Sequence, residues 1–316
     1  MPLKDHRPRP VRLDLSVSFC GLSLRNPVIA ASGTFGYGVE YEEIVNLDKL
    51  GGFVVKGLSR EPMPGNPPPR LFETSAGMLN AIGLQNIGAA AFIREKLPAL
   101  RKHQNTQLIA NVFGYAPEDY RATIQILNEG EGIAAYELNV SCPNTAHGGM
   151  VFGSDANLLQ EVVSTAKTAA IRPLIVKLSP NVTNIAALAR AAQSAGADAV
   201  SLVNTFLGMA VDAETRRPRL GNITGGLSGP AIKPIALRMV YEAAHAVDIP
   251  VIGMGGIATA SDVIEFLLAG AAAVQVGTAS FWDPCVTEKI VDGLEGWCVE
   301  HRVDRIVDLI GGLQTD

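Results

Sequence analysis

A cysteine that follows an apolar, strand-like run is the strongest candidate for acid–base chemistry in this chain. Cys142 stands in residues 139–144 (NVSCPN), where Pro143 ends the run and the neighbours are polar. A thiolate can accept a proton or attack a substrate when its pKa suits the task. Most lone cysteines in apolar strands are inert packing, which is how we interpret Cys20, Cys285 and Cys298. We expect Cys142 to be the catalytic base or nucleophile.

Four asparagines follow strand-like runs or lie in the long loops beside them. They are Asn80, Asn139, Asn144 and Asn204. Each side-chain amide both donates and accepts hydrogen bonds, which suits a ring with alternating N–H and C=O groups, such as a dihydropyrimidine. Taken singly, each asparagine is more often a turn residue or a helix cap. Four at one end of a barrel are more than the turns require, so we expect a polar ring to bind there.

Two lysines, Lys56 and Lys177, lie inside apolar runs. Because lysine is rarely buried without a partner, each needs an explanation. A cation there could stabilise an anionic ring such as that of a reduced flavin. A buried ion pair is the structural alternative, and a Schiff-base lysine of the aldolase type is the chemical one.

Glycine pairs follow the last two apolar runs, at Gly255-Gly256 and at Gly277-Thr278. Without a Cβ, the backbone N–H groups can approach an anion closely. The ends of strands seven and eight are the usual phosphate site of (β/α)₈ barrels. Tight turns are the simpler explanation for one pair, but two such pairs predict a phosphate-bearing ligand.

Eight short apolar runs, each followed by a helical pattern, would position these residues. Continuous apolar runs indicate strands buried on both faces, as in a parallel sheet. The sequence therefore predicts a (β/α)₈ TIM barrel forming a single domain over residues 1–316, with a doubly wound sheet as the alternative. Helices are predicted at 116–129, 184–196 and 261–270. The strands are predicted at 26–33, 52–57, 108–114, 136–144, 173–180, 197–205, 250–256 and 272–278.

Three further segments shape the predicted barrel. Residues 59–85 and 206–229 are predicted to be long loops at the C-terminal face, where barrels place their active sites. Residues 15–24, with Gly21 at the turn, are predicted to form a hairpin at the barrel bottom. Residues 144–156 are glycine-rich and follow Cys142, so we expect them to act as a lid.

Composition and charge narrow the classes of function. The formal net charge is −5, from 26 basic and 31 acidic residues without a basic stripe, so we expect no nucleic-acid partner. No apolar run is long enough to span a membrane, and the N-terminus lacks the apolar stretch of a signal peptide. A cytoplasmic enzyme is therefore expected. The four scattered cysteines form no C-x-x-C pair, so no metal or iron–sulfur site is expected on this chain.

The motifs together resemble those of class 1 dihydroorotate dehydrogenases, and more closely the 1B branch. The resemblance runs over nearly the whole chain. It rests on residues 56–70 (KGLSREPMPGNPPPR), 80–86 (NAIGLQN), 139–144 (NVSCPN), 176–183 (VKLSPNVT), 203–205 (VNT), 225–237 (GGLSGPAIKPIAL) and 254–257 (MGGI). One departure is Asn86-Ile87-Gly88, where the family pattern has Asn-Pro-Gly.

The resemblance implies oxidation of (S)-dihydroorotate to orotate in pyrimidine biosynthesis, with one FMN per chain. Cys142 would take the C5 proton of the substrate. A serine at that position would resemble the membrane-linked class 2 enzymes, so Cys142 argues against quinone as the direct acceptor. The residues implied for dihydroorotate are Lys56, Asn80, Ala81, Ile82, Gly83, Leu84, Asn139, Asn144, Asn204 and Thr205. Those implied for FMN are Ser32, Lys56, Gly57, Asn111, Asn139, Lys177, Val203, Gly229, Gly255, Gly256, Gly277 and Thr278.

The 1B resemblance also implies a partner. Such enzymes combine a homodimeric core with a second subunit that carries FAD and a 2Fe–2S cluster, forming a heterotetramer that passes electrons to NAD⁺. Two kinds of alternative stay open. The chain could be a 1A-like homodimer that uses fumarate. It could also be a phosphate-ligand barrel without redox chemistry, such as an aldolase or isomerase, or a flavin-binding protein that is not an enzyme.

Overall fold

A closed barrel of eight parallel strands is the centre of the molecule. The computed structural model describes residues 13–141, 143–144 and 150–315. The barrel strands are β1 (Val28–Ala30), β2 (Gly52–Val54), β3 (Gln107–Val112), β4 (Ile133–Asn139), β5 (Leu174–Lys177), β6 (Ala199–Leu202), β7 (Val251–Met254) and β8 (Ala273–Val276). Neighbours in sequence are neighbours in space, and β8 pairs with β1 to close the ring. The predicted TIM barrel is confirmed, and this closure excludes the doubly wound sheet.

The barrel strands are buried on both faces, as their continuous apolar sequences predict. Every residue of β5, β6, β7 and β8 is buried. One face of each strand lines the barrel interior and the other packs under the outer helices. Because both faces are buried, apolar and polar residues do not alternate along the strands. The exceptions are a few polar side chains that point into the interior, and these matter for the site.

Helices cover the outside of the barrel. The predicted helices are confirmed with shifts of one to two residues at their ends, at Pro117–Leu127, Ile185–Ser194 and Ala260–Leu268. Asn184 caps the second by accepting a hydrogen bond from the backbone N–H of Ala187. The other helices are Ala89–Ala91, Phe92–Lys96 (a π-helical turn), Leu97–Leu100, Ala156–Lys167, Lys233–Ala244, Ala279–Trp282 and Val286–His301. Short 3₁₀ turns occupy Val39–Tyr41, Leu47–Lys49, Phe152–Ser154, Pro230–Ile232 and Ile306–Leu309.

The predicted N-terminal hairpin is present below the barrel. Strands Val17–Phe19 and Leu22–Leu24 pair in antiparallel register around a turn at Gly21. The side-chain Nε2 of Gln107 donates to the carbonyl of Ser23 at 3.0 Å. Gln107 is the first residue of β3, so the hairpin lies at the N-terminal ends of the strands, away from the end that carries the polar residues.

The two long segments predicted as loops instead form a sheet with each other, so that prediction was wrong in part. Strands Phe206–Met209, Thr224–Ser228, Gly77–Asn80 and Leu71–Thr74 pair in that order, all antiparallel. We call these four strands the cap sheet. The glycines that suggested loops allow close backbone approach, because a Cβ on Gly77 would collide with the carbonyl oxygen of Ser228.

Smaller strand pairs complete the C-terminal face. Val211–Asp212 pairs with Arg217–Pro218 within the second long segment, and Pro143–Asn144 pairs with Met150–Val151 after β4. The latter pair falls in the segment predicted to act as a lid, of which residues 145–149 lie outside the described residues.

Candidate active site

A cavity of about 870 Å³ lies at the C-terminal ends of the barrel strands, beneath the cap sheet. That is large enough for a cofactor together with a small substrate. Almost all the predicted site residues line it: Ser32, Lys56, Gly57, Asn80, Ala81, Ile82, Gly83, Leu84, Asn111, Asn139, Lys177, Val203, Asn204, Thr205, Gly229, Gly255, Gly256, Gly277 and Thr278. Cys142 and the side chain of Asn144 lie outside the described residues, as does His147.

The ends of the barrel strands bring these residues together. Lys177 is the last residue of β5, and Asn139 is the last of β4. Gly255 and Gly277 directly follow β7 and β8. Since parallel strands of a barrel all end at one face, residues far apart in sequence meet in one cavity. The cap sheet adds Asn80 and Gly229 from above.

The Lys177 ammonium lies at the floor of the cavity and is nearly buried. Its Nζ donates to the hydroxyl of Ser32 at 3.3 Å and lies 4.0 Å from a carboxylate oxygen of Glu137. The structure therefore supports the ion-pair interpretation of this lysine and also places its side chain at the cavity. The two interpretations are compatible, because the same lysine lies near the carboxylate and lines the cavity.

The Lys56 ammonium approaches the cavity from the end of β2. Burial lowers the pKa of Lys56 from its ordinary value, and the nearby positive charge of Arg70 lowers it further. Arg70 also lines the cavity, held by hydrogen bonds to the carbonyl of Asn66 and to the side chain of Gln85. Two cations thus lie at this side of the site, which favours an anionic ligand.

The amides of Asn139 and Asn204 are oriented by hydrogen bonds. The Oδ1 atom of Asn139 accepts from the Nδ2 of Asn204 and from the backbone N–H of Ser141, both at 3.2 Å. The Oδ1 atom of Asn204 accepts from the N–H of Thr205. Because these bonds use the oxygen of Asn139, its NH₂ group is the side left to donate to a ligand. The hydroxyl of Ser141, two residues further along, is buried without a hydrogen-bond partner among the described residues.

The glycines after β7 and β8 line the cavity without side chains, and we call this stretch of backbone the cradle. A Cβ built on Gly277 would make an ordinary van der Waals contact with Ala31 at 3.6 Å, whereas one on Gly255 or Gly256 would collide with Ala236 or Lys233. Gly255 and Gly256 have positive φ angles of 126° and 75°, which favour glycine. Lys233 lies next to this cradle but is committed elsewhere, since its Nζ binds Asp262 at 2.6 Å and Glu265 at 2.9 Å.

The cavity fits FMN on these observations. The cradle offers backbone N–H groups for a phosphate, and Lys177 offers a cation for an electron-rich ring. Gln275 adds an oriented amide: its Nε2 donates to the carboxylate of Glu137 at 2.5 Å, which leaves its buried Oε1 without a partner among the described residues. An unpaired buried acceptor at the edge of a cavity is costly unless a ligand donates to it.

Some residues that line the cavity, or lie directly behind its lining, were missed by the sequence analysis. Gln275 stands in the apolar run of β8 (AVQV), and Glu137 stands behind it in the run of β4 (IAAYELN). The criterion that singled out Lys177, a polar residue inside an apolar strand, would also have found both. Arg70 and Asn181 also line the cavity, and no pattern in the sequence distinguished them from other loop residues.

The departure from the family pattern at Ile87 has a structural explanation. The backbone N–H of Ile87 donates to the hydroxyl of Tyr37 at 3.0 Å, a bond that proline cannot make. The side chain of Asn86 accepts from the N–H of Gly88 at 2.8 Å and so holds the turn. The loop is therefore well bonded without the proline.

The described residues offer neither a metal-binding cluster nor a membrane-spanning helix. Among the described residues, no group of three or more His, Cys, Asp or Glu side chains is placed to hold a metal ion. Within residues 13–141, 143–144 and 150–315, no helix is long and apolar enough to cross a membrane.

Comparison with known proteins identifies close relatives. The family described as dihydroorotate dehydrogenase matches residues 14–297. A protein of Solibacter usitatus named putative dihydroorotate dehydrogenase A (fumarate) is 61% identical over 300 residues, which cover 95% of this chain and 98% of that protein. Proteins of Pelobacter propionicus and Geotalea uraniireducens, both named dihydroorotate dehydrogenase B (NAD(+)), catalytic subunit, are 56% and 55% identical. Each match covers at least 95% of this chain and 99% of the relative.

Proposed function

Because this chain belongs to the dihydroorotate dehydrogenase family, we propose that it oxidises (S)-dihydroorotate to orotate in pyrimidine biosynthesis, using FMN bound in the barrel mouth. The observation that carries the proposal is the cavity itself. It combines a phosphate cradle after β7 and β8, a buried cation at the end of β5 and oriented amides at the ends of β4 and β6.

The chain's own residues would hold the cofactor from below and from one end. Gly255, Gly256, Gly277 and Thr278 would bind its phosphate, and Gly229 would approach from the cap sheet. The remaining contacts would come from Ser32, Lys56, Gly57, Asn111, Asn139, Lys177 and Val203. When bound, FMN supplies the acceptor for the hydride that leaves C6 of the substrate. Lys177 would stabilise negative charge on the ring.

The substrate would lie between the cofactor and the cap sheet. Dihydroorotate carries a carboxylate and a ring of alternating N–H and C=O groups. Lys56 would attract the carboxylate, while Asn80, Asn139, Asn144 and Asn204 would bind the ring, with Thr205 and residues 81–84 completing the contact. Cys142 would take the proton from C5 as general base.

NAD⁺, reached through a partner subunit, is the electron acceptor we favour. Two of the relatives are named as the catalytic subunit of an NAD(+) enzyme, which implies a further subunit. We propose that this subunit carries FAD and a 2Fe–2S cluster and joins a homodimer of this chain in the cytoplasm. Direct reduction of fumarate is the second candidate, because a relative at 61% identity is named for it.

Anaerobic reduction of the purified protein tests the activity. We expect a flavin absorption spectrum with one FMN per chain that bleaches when dihydroorotate is added. A colourless protein, or a flavin that dihydroorotate does not reduce, would refute the proposal.

The acceptor requires a second experiment. The reduced protein is mixed with fumarate or NAD⁺, alone and after co-expression with the gene of a candidate FAD/iron–sulfur subunit. Reoxidation by NAD⁺ only in the co-expressed complex supports the NAD-linked assignment, whereas rapid reoxidation of the isolated protein by fumarate supports the alternative.

A further inference from the structure

Glu137 is a fully buried carboxylate in the interior of the barrel. It lies in β4, is 0% exposed, and does not line the cavity. Its two oxygens accept hydrogen bonds from Asn111 Nδ2 at 2.8 Å, Ser201 Oγ at 2.9 Å and Gln275 Nε2 at 2.5 Å. These donors come from β3, β6 and β8, so the carboxylate joins strands from around the barrel.

Only one cation lies near this carboxylate among the ion pairs of the described residues. Lys177 Nζ is 4.0 Å from Glu137 Oε1, and Lys177 is 6% exposed. A buried charge is costly unless it is paired and hydrogen-bonded. Each member of this pair therefore depends on the other, and the hydrogen bonds to Glu137 fix the position of the negative charge.

Three of the groups around Glu137 line the cavity although Glu137 does not. These are Lys177, Asn111 and Gln275. A carboxylate without a proton only accepts hydrogen bonds. The NH₂ groups of Asn111 and Gln275 therefore face Glu137, and their side-chain oxygens face away from it. The charge behind the cavity thus determines which atoms the floor presents to a ligand.

We propose that Glu137 is a positioning residue that holds the Lys177 ammonium toward the FMN site, and thereby raises the reduction potential of the flavin. This inference rests on the proposed function, because it requires FMN in the cavity. Glu137 acts through Lys177 and touches neither the cofactor nor the substrate. Without its carboxylate, the ammonium beneath a bound ring has no anion beside it. An unpaired ammonium is costly to bury, so the side chain is no longer held in place and the ring loses its cation.

The test is the midpoint potential of the FMN-loaded holoenzyme carrying Glu137→Gln. We expect the reduction equilibrium constant to fall at least tenfold, which equals about 30 mV for a two-electron couple. Sulfite is a second probe. It adds to oxidised flavin with negative charge left on the ring, so its dissociation constant should rise by a similar factor.

A double-mutant cycle separates this role from a structural one. Lys177→Met removes the cation directly and should lower the potential at least as far. Adding Glu137→Gln to Lys177→Met should then change the reduction equilibrium constant less than twofold. A loss of packing or hydrogen bonding would act equally in both backgrounds, and that result would overturn the proposal.

Two further variants serve as controls. Ser201→Ala removes one hydrogen bond to Glu137 but no charge, and should leave the potential near that of the wild type. Glu137→Asp keeps the charge and should recover at least half of the shift. An unchanged or raised potential in Glu137→Gln, or an equal shift in Ser201→Ala, would also overturn the role of Glu137. A wild-type protein without FMN would overturn the proposed function, and this inference with it.

Discussion

Asp262 should be a principal support of the phosphate cradle, and its replacement by alanine gives a measurable test. Asp262 is 8% exposed and stands in the first turn of helix Ala260–Leu268. Its Oδ2 accepts from the backbone N–H groups of Ala258 and Thr259 at 2.9 and 2.8 Å, just after Gly255-Gly256. Its Oδ1 binds Lys233 Nζ at 2.6 Å. One carboxylate therefore holds the loop after β7 to the start of two helices.

The size of the effect follows from these contacts. Loss of a helix-capping side chain costs about 0.5–2 kcal/mol, and a hydrogen bond to a charged group contributes about 1.5–3 kcal/mol. The freed N–H groups are partly accessible to water, so the contributions do not simply add. We expect Asp262→Ala to reduce the free energy of unfolding by about 2–3 kcal/mol. At about 2–4 °C per kcal/mol, Tm should fall by about 4–12 °C.

A matched control is available in the same ion-pair group. Glu265 also binds Lys233, but its side chain is 40% exposed. Exposed pairs contribute about 0–1 kcal/mol, so Glu265→Ala should lower Tm by at most about 4 °C. The assay is thermal unfolding of both variants with and without FMN, together with an FMN titration of the apoproteins. Equal losses in the two variants, or an Asp262→Ala protein as stable as the wild type, would refute the reasoning.

The pH dependence of this contribution has a definite sign. Burial opposes ionisation of Asp262, but the hydrogen bonds from Lys233, Ala258 and Thr259 outweigh it and hold its pKa below the ordinary value. A lowered folded-state pKa stabilises the protein above the unfolded value of about 3.9, and this contribution is lost as the pH falls through the folded value. The stability difference between wild type and Asp262→Ala should be constant from pH 8 to about 5 and narrow below about 4. A difference that narrows near neutral pH would contradict this assignment.

Three further substitutions test the site. Cys142→Ala should slow reduction of the flavin by dihydroorotate by orders of magnitude while FMN stays bound, and an unchanged rate in anaerobic stopped-flow would exclude Cys142 as the base. Lys177→Ala should weaken FMN binding or slow its reduction, so normal affinity together with normal turnover would refute its role. Gly277→Ala should lower FMN affinity at least tenfold, as measured by fluorescence titration. The apoprotein should keep its Tm, because a Cβ there meets nothing closer than 3.6 Å; equal losses in affinity and apoprotein stability would point to misfolding instead.

The sequence alone determined the alternation of eight strands with helices and the location of the site. Eight continuous apolar runs predict a parallel sheet covered on both faces, and eight β–α units favour a barrel. The pairing of β8 with β1 then excluded a doubly wound sheet. The ends of those runs carried Lys177, Asn139 and the glycine pairs, so the cavity at their C-terminal ends followed from strand direction. Each of these patterns lies within a short stretch of sequence, so it can be recognised without knowing which distant segments are in contact.

The tertiary structure decided what depends on contacts between distant segments. The cap sheet joins Gly77–Asn80 to Thr224–Ser228, about 150 residues apart, and its glycines looked like loop residues because only the neighbouring strand explains them. Glu137 looked like one polar residue in an apolar strand until Lys177, Ser201 and Gln275 were found around it. Ion pairing and strand pairing between distant segments depend on three-dimensional proximity, and no spacing along the chain encodes that directly.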